Sequence, residues 1–223
     1  MAQGDLALDG PDRRVLIAEL AGSARTAGRR AVVSGRWLGE TIVELAPRVP
    51  IRDTATLSAH HDGQTGAALA RSMVRSAGRV SAGVAAATGT AIAAQQLSIA
   101  GVVLVPFELA AETALVTFVE LKLIVELHDV AGRPLPGGPL PRSRAALLAW
   151  TSGHALAPSA GPGDMPLGPG ARRELAAALR SRFTRNLTTL APLLTGAAAA
   201  GLLNRRATVV IGHRMAREMG LRR

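Results

Sequence analysis

Glu120 is the residue of this chain most open to chemistry. In a helix advancing 100° per residue it falls beside Thr113, Ile124 and Leu127, on an apolar flank. A carboxylate in that position has two uses. It can pair with an arginine from another helix, or it can hold its proton to unusually high pH and act as a general acid or base. The second use needs an interior pocket and a partner such as an arginine or His213. The other charged residues of the stretch, Glu108, Glu112, Lys122, Glu126 and Asp129, fall in one sector roughly 80–120° away. They are expected to form a solvated stripe.

Other chemistries find less support. His60, His61 and Asp62 are adjacent, so from a helix they point in different directions and cannot chelate one ion together. No metal site is expected from them. The chain has no cysteine, which excludes disulfides, cysteine-ligated zinc, iron–sulfur clusters and thiol catalysis. There is no G-x-S-x-G, no phosphate-binding Walker loop, no H-E-x-x-H and no paired Glu-x-x-His. No motif asks for a cofactor.

The elements that must position Glu120 centre on Gln95 to His128, the most apolar stretch of the chain. A helix with so much apolar surface must be wrapped by other elements or by lipid. Pro106 suits the first turn of that helix. Before it, Gln64 to Ala94 reads as a long helix whose small residues recur every fourth position. Ala77, Ser81, Ala85, Gly89 and Ala93 form one row, and Gly78, Ala82, Ala86, Thr90 and Ala94 the next. Such rows let another backbone approach closely. No charge occurs from Val80 to Phe107, a length that could span a bilayer. Gln95 and Gln96 interrupt it, and no Trp or Tyr marks an interface, so a buried helical hairpin is the preferred reading.

Residues 1–10 read as disordered, with Asp12 a candidate N-cap. One amphipathic helix is expected from Arg13 to Ala46, bent or broken at Gly35 and ended by Pro47 and Pro50. Asp53 can cap a short helix that Gly63 terminates. Residues 132–141 form a loop, 141–157 a helix carrying Trp150, and 158–170 a flexible Pro/Gly linker. A helix over 171–184 follows, then apolar pieces over 187–203 and 207–219, separated by Arg205 and Arg206. No segment shows period-two alternation with turn signals. The fold class expected is all-α: one helical bundle over 11–223, about seven helices, long and antiparallel, with Ala/Gly-rich close packing.

The formal net charge is +10, and of 26 basic residues only Lys122 is a lysine. Heavy Arg with heavy Ala, Gly and Pro is what GC-rich coding produces. A basic surface carrying Arg205, Arg206, Arg214 and Arg217 can attract anionic lipid or nucleic acid. Nucleic-acid sites usually interleave stacking aromatics, and aromatics are 2% of this chain, so nucleic acid is the weaker partner. The start, AQGDLALDGPDRR after Met1, lacks a charged region leading into an apolar one, so no secretory signal is expected. The expected location is the cytoplasm, at or near a membrane.

One constellation is more specific. Gly196, Ala200 and Asn204 stand at four-residue steps in TGAAAAGLLNRR, on one face of an Ala-rich helix. With the central helix ending IVELHDVAG, this resembles the EcsC-type bacterial proteins over about residues 77–219. The resemblance implies a helical, membrane-peripheral or membrane-associated protein of unassigned activity, and it supplies no catalytic residues. The packing alternative for the three positions is close helix contact, with Asn204 hydrogen-bonded across it or capping a helix. The reading preferred from sequence is a non-enzymatic helical protein whose partner is an anionic membrane surface or a membrane protein. The alternatives are an enzyme or small-ligand protein using a pocket around Glu120, and nucleic-acid binding through Arg-rich helices.

Overall fold

Glycine, more than proline, divides the first part of the chain. The computed structural model describes residues 13–95, 99–155, 167–190 and 196–221. Where one helix was expected over 13–46 there are three: α1 (Arg13–Ala27), α2 (Arg29–Val33) and α3 (Arg36–Leu45). Gly28 and Gly35 separate them at φ 86° and 77°, backbone that L-residues with a Cβ rarely adopt. Gly35 is also a point of close approach. A Cβ there would lie 2.6 Å from the carbonyl oxygen of Ala176, in the helix that covers it.

A 3-10 turn over Ala46–Arg48, with Pro47 in its first turn, ends α3. Helix α4 (Thr54–His60) is capped by Asp53, whose Oδ1 accepts the Thr56 N–H at 2.7 Å. Five longer helices follow: α5 (Gly66–Gln95), α6 (Ile99–Val130), α7 (Pro139–Ser152), α8 (Pro169–Leu190) and α9 (Gly196–Glu218). There is no strand among the described residues, and the fold is an all-α bundle.

Several boundaries differ from those expected: α7 begins at Pro139, inside the expected loop, and α8 runs on to Leu190, past 184 and through Leu187. Pro106 lies inside α6 rather than at its start. Arg205 and Arg206 do not interrupt α9, because arginine is a good helix former and both side chains reach solvent. Pro169 and Gly170 begin α8 rather than ending a linker, since proline fits a helical first turn. Residues 1–10, Asp12 and most of the 158–170 stretch lie outside the described residues.

Helix α6 packs against every other α-helix. From Phe107 to Leu121 all of its side chains are buried, on every side of the helix. The expected solvated stripe is therefore absent: Glu108, Glu112 and Glu126 are buried at 7%, 2% and 5% exposure. A stripe of charge predicts a wet face only when a helix has one, and a helix wrapped all round has none.

The closest pairing is between α5 and α9, which run antiparallel through glycines. A Cβ on Gly78 would meet Val209 at 2.7 Å, one on Gly201 the Ala82 carbonyl oxygen at 3.3 Å, and one on Gly212 Val74 at 2.8 Å. The small rows of α5 are what make this approach possible. Among the described residues, no helix is long and apolar enough to cross a membrane.

Candidate functional site

The buried carboxylate of Glu120 gathers side chains from four other helices. Arg182 of α8 meets it with both terminal nitrogens, Nη2 reaching Oε1 at 2.9 Å. The indole Nε1–H of Trp150, in α7, donates to Oε2 at 2.8 Å. The Thr208 hydroxyl, in α9, donates to Oε1 at 2.9 Å. Ser81 of α5 then bonds Thr208 through its own hydroxyl at 2.9 Å. Since the Thr208 proton is committed to the carboxylate, Ser81 must be the donor of that second bond.

Four hydrogen bonds fill the acceptor capacity of an ionised carboxylate. Glu120 and Arg182 are exposed at 0% and 7%, so both charges are out of water and each needs the other. Burial works against the Arg182 cation, but the Glu120 charge and hydrogen bonds, with Glu112 behind them, hold its pKa above the usual arginine range. To serve as a proton acceptor, Glu120 would have to give up bonds that hold four helices together.

Glu112 lies two turns earlier on α6 and is less well supplied. Asn204 Nδ2 donates to its Oε1 at 2.6 Å, and Thr88 of α5 adds a bond. Burial pushes its pKa up to about 7, against the opposing pull of Asn204, the Arg182 charge and Thr88. A cleft of about 550 Å³ between α7, α8 and α9 reaches this network, bordered by Trp150, Arg182, Leu203 and Asn204.

The remaining sequence candidates are dispersed. Asn204 joins the network through Glu112. Gly196 and Ala200 lie in the first turns of α9, where the side chains are outside the described residues; the close approach to α5 is made by Gly201. Arg205, Arg206, Arg214 and Arg217 are exposed along α9. His60 and His61 turn apart, His60 Nδ1 to the Thr56 carbonyl at 2.7 Å and His61 Nδ1 to Ser72 at 2.9 Å. Among the described residues no three His, Asp or Glu side chains gather as metal ligands would. His213 is not among the groups bonded to Glu120.

From sequence alone Ser81 was placed only in a packing row, and it, Arg182 and Thr208 were not joined to Glu120. For Arg182 a signal existed. It stands three and seven residues after Leu179 and Leu175, so it occupies the apolar face of α8 next to Phe183. An arginine on a buried face needs an acid, and Glu120 was the acid needing an arginine.

A second region is distinguished by missing charge. The runs Val80 to Phe107 and Leu187 to Asn204 contain no Asp, Glu, Lys or Arg. Because α6 and α9 run parallel and α5 runs against them, the exposed residues described in these runs lie toward one end of the bundle. Large apolar side chains are exposed there: Val103 at 63%, Leu202 at 64% and Leu203 at 49%. Exposed Arg185, Arg205 and Arg206 border the end on α8 and α9. Neither the protein-family models, the curated proteins nor the solved structures contain a match to this chain. The EcsC-type resemblance rests on the residue pattern alone.

Proposed function

We propose that the chain is a non-enzymatic helical protein that docks peripherally on an anionic membrane surface by the uncharged end of its bundle. One observation carries the reading: exposed Val103, Leu202 and Leu203 belong to sequence runs without Asp, Glu, Lys or Arg, and exposed Arg185, Arg205 and Arg206 flank them on α8 and α9. Exposed apolar side chains of that size gain by entering the headgroup–acyl boundary, at roughly 25 cal/mol per Å² removed from water. The bordering arginines add attraction to anionic lipid, about 1 kcal/mol for each that reaches the surface. The resemblance to EcsC-type proteins points the same way. The enzyme reading is weaker because all four acceptor positions of Glu120 are occupied. Nucleic-acid binding is weaker for want of aromatics, at 2% of residues.

Vesicle co-sedimentation tests the proposal. Binding is expected to rise with anionic lipid content and to fall with salt, since exposed charges are screened beyond about 10 Å at 0.1 M. Salt or carbonate washing should release the protein. Leu202→Asp with Leu203→Asp should abolish binding, and Arg205→Glu with Arg206→Glu should remove its dependence on anionic lipid. Absence of binding at low salt overturns the proposal, and so does retention in the pellet after carbonate.

A further inference from the structure

Lys122 is the single lysine in a chain that otherwise uses arginine for every basic position. Its side chain is 11% exposed and sits where α6 meets the segment after the 3-10 turn. Nζ donates to the Pro50 carbonyl at 2.7 Å and also pairs with the Glu126 carboxylate. An ammonium has three N–H donors, so these two acceptors leave a third N–H. Beside it opens a cavity of about 320 Å³ between the 3-10 turn, α6 and α7. Its walls are largely apolar, with Val49, Ile51, Val125 and Ala146 among them.

Arg142, in the first turns of α7, lines the same cavity. Its Nη2 makes one long bond, 3.4 Å, to the Gly137 carbonyl. Its Nε–H is buried and has no acceptor among the described residues. A buried donor left without an acceptor is costly, so this N–H is short of a hydrogen-bond acceptor. Ser143, also on the wall, donates its hydroxyl to Leu140 at 2.9 Å and keeps its lone pairs.

The cavity wall therefore carries two cations and no carboxylate. The acids that balance them stand behind: Glu126 against Lys122, and Asp129 attracting Arg142. The α7 N-terminus adds partial positive charge, but Pro139 and Pro141 have no N–H to offer, so recognition falls to the side chains.

The geometry points to a binding site for a small hydrophobic monocarboxylate. The carboxylate is received by Arg142 and Lys122, and the hydrocarbon body lies along Val49, Ile51 and Val125. A volume near 320 Å³ is at the small end of ligand pockets and suits a medium-chain aliphatic or single-ring aromatic acid, not a two-chain lipid. The site lies on the opposite side of α6 from Glu120, and it does not depend on membrane docking.

Methyl-resolved NMR of the full chain, titrated with octanoate and separately with 1-octanol, tests this. Octanoate should shift the Val49, Ile51 and Val125 methyls saturably, at least tenfold more tightly than octanol. Arg142→Leu should bring octanoate down to the octanol level and leave octanol unchanged. The site is refuted if octanol binds those methyls as well as octanoate does. Shifts confined to Leu202 and Leu203, the methyls of the apolar end, also refute it, as does octanoate binding unaltered in Arg142→Leu. Should that variant fail to fold by circular dichroism, the octanoate-to-octanol ratio in the unaltered chain decides.

Discussion

Two ion pairs start two residues apart on α6 and face different sides of it. Glu120–Arg182 is closed in its hydrogen bonding: Arg182 edges a cleft, but Trp150 and Thr208 occupy what the arginine leaves of the carboxylate. Lys122–Glu126 is open: among the described residues the lysine uses two of its three donors, and a cavity lies beside it. The same kind of pair is thus a fastening in one place and a lining in the other. What separates them is how many of their hydrogen-bonding positions the fold itself fills.

The largest test of the contrast removes one partner of the closed pair. Arg182→Met should cost about 3–5 kcal/mol in chemical denaturation, because it leaves Glu120 charged and buried. Adding Glu120→Leu to that variant should recover most of the loss, as an apolar replacement removes the stranded charge as well. A cost below about 1 kcal/mol for the single variant would dissolve the distinction between the pairs.

Next in size is the pH dependence set by Glu112. Its folded pKa, near 7, lies above the ordinary glutamate value, so the folded state holds a proton that the unfolded state releases earlier. The contribution is unfavourable once Glu112 ionises, and it grows as pH rises from about 4.5 to about 7, reaching about 3 kcal/mol. Glu112→Gln keeps an acceptor for Asn204 and removes the proton, so it should stabilise the chain at pH 8 and do little at pH 4. Comparing each variant with its parent at the same pH cancels the opposite trends of Asp53 and Glu218, whose pKa values are lowered by hydrogen bonds from Thr56 and Ala155. Equal stability of the two proteins from pH 5 to 8 would deny Glu112 its raised pKa.

The smallest effect is expected at the open pair. Burial already raises the Glu126 pKa against the pull of Lys122, and the Arg52 N–H donates to it at 3.2 Å. Without the lysine, Glu126 can take a proton and keep the Arg52 N–H, so Lys122→Met should cost less than Arg182→Met. A loss equal to that of Arg182→Met would make the two pairs the same device.

Much of the frame was legible in the sequence. Continuous helical periodicity without strand signals gave the class, and the four-residue rows of α5 marked the face that α9 covers. The Asp53 cap and the Pro47 stop were local signals that no tertiary contact overrode. Gly28 was passed over because a glycine between basic and alanine residues has the same composition whether it bends a helix or ends it. The apolar flank of Glu120 could be read from angle alone. The burial of Glu108, Glu112 and Glu126 could not, because it depends on how many helices surround α6, which no period encodes. Arg182 is 62 residues from Glu120. A single helix wheel shows that each needs a partner and cannot say that they need each other.

The Glu120 cluster draws on Ser81, Trp150, Arg182 and Thr208, spread from α5 to α9. During synthesis these arrive in order, and the acid appears long before its cation. A nascent chain carrying α1 to α7 exposes a largely apolar helix on which Glu120 still lacks Arg182 and Thr208, and Glu112 still lacks Asn204. Those side chains must stay wet until α8 has emerged, and the hydroxyl relay from Ser81 cannot form until Thr208 follows. The early helices are therefore committed to waiting, and a chaperone that shelters α6 during this interval would act on the slowest-completed part of the molecule.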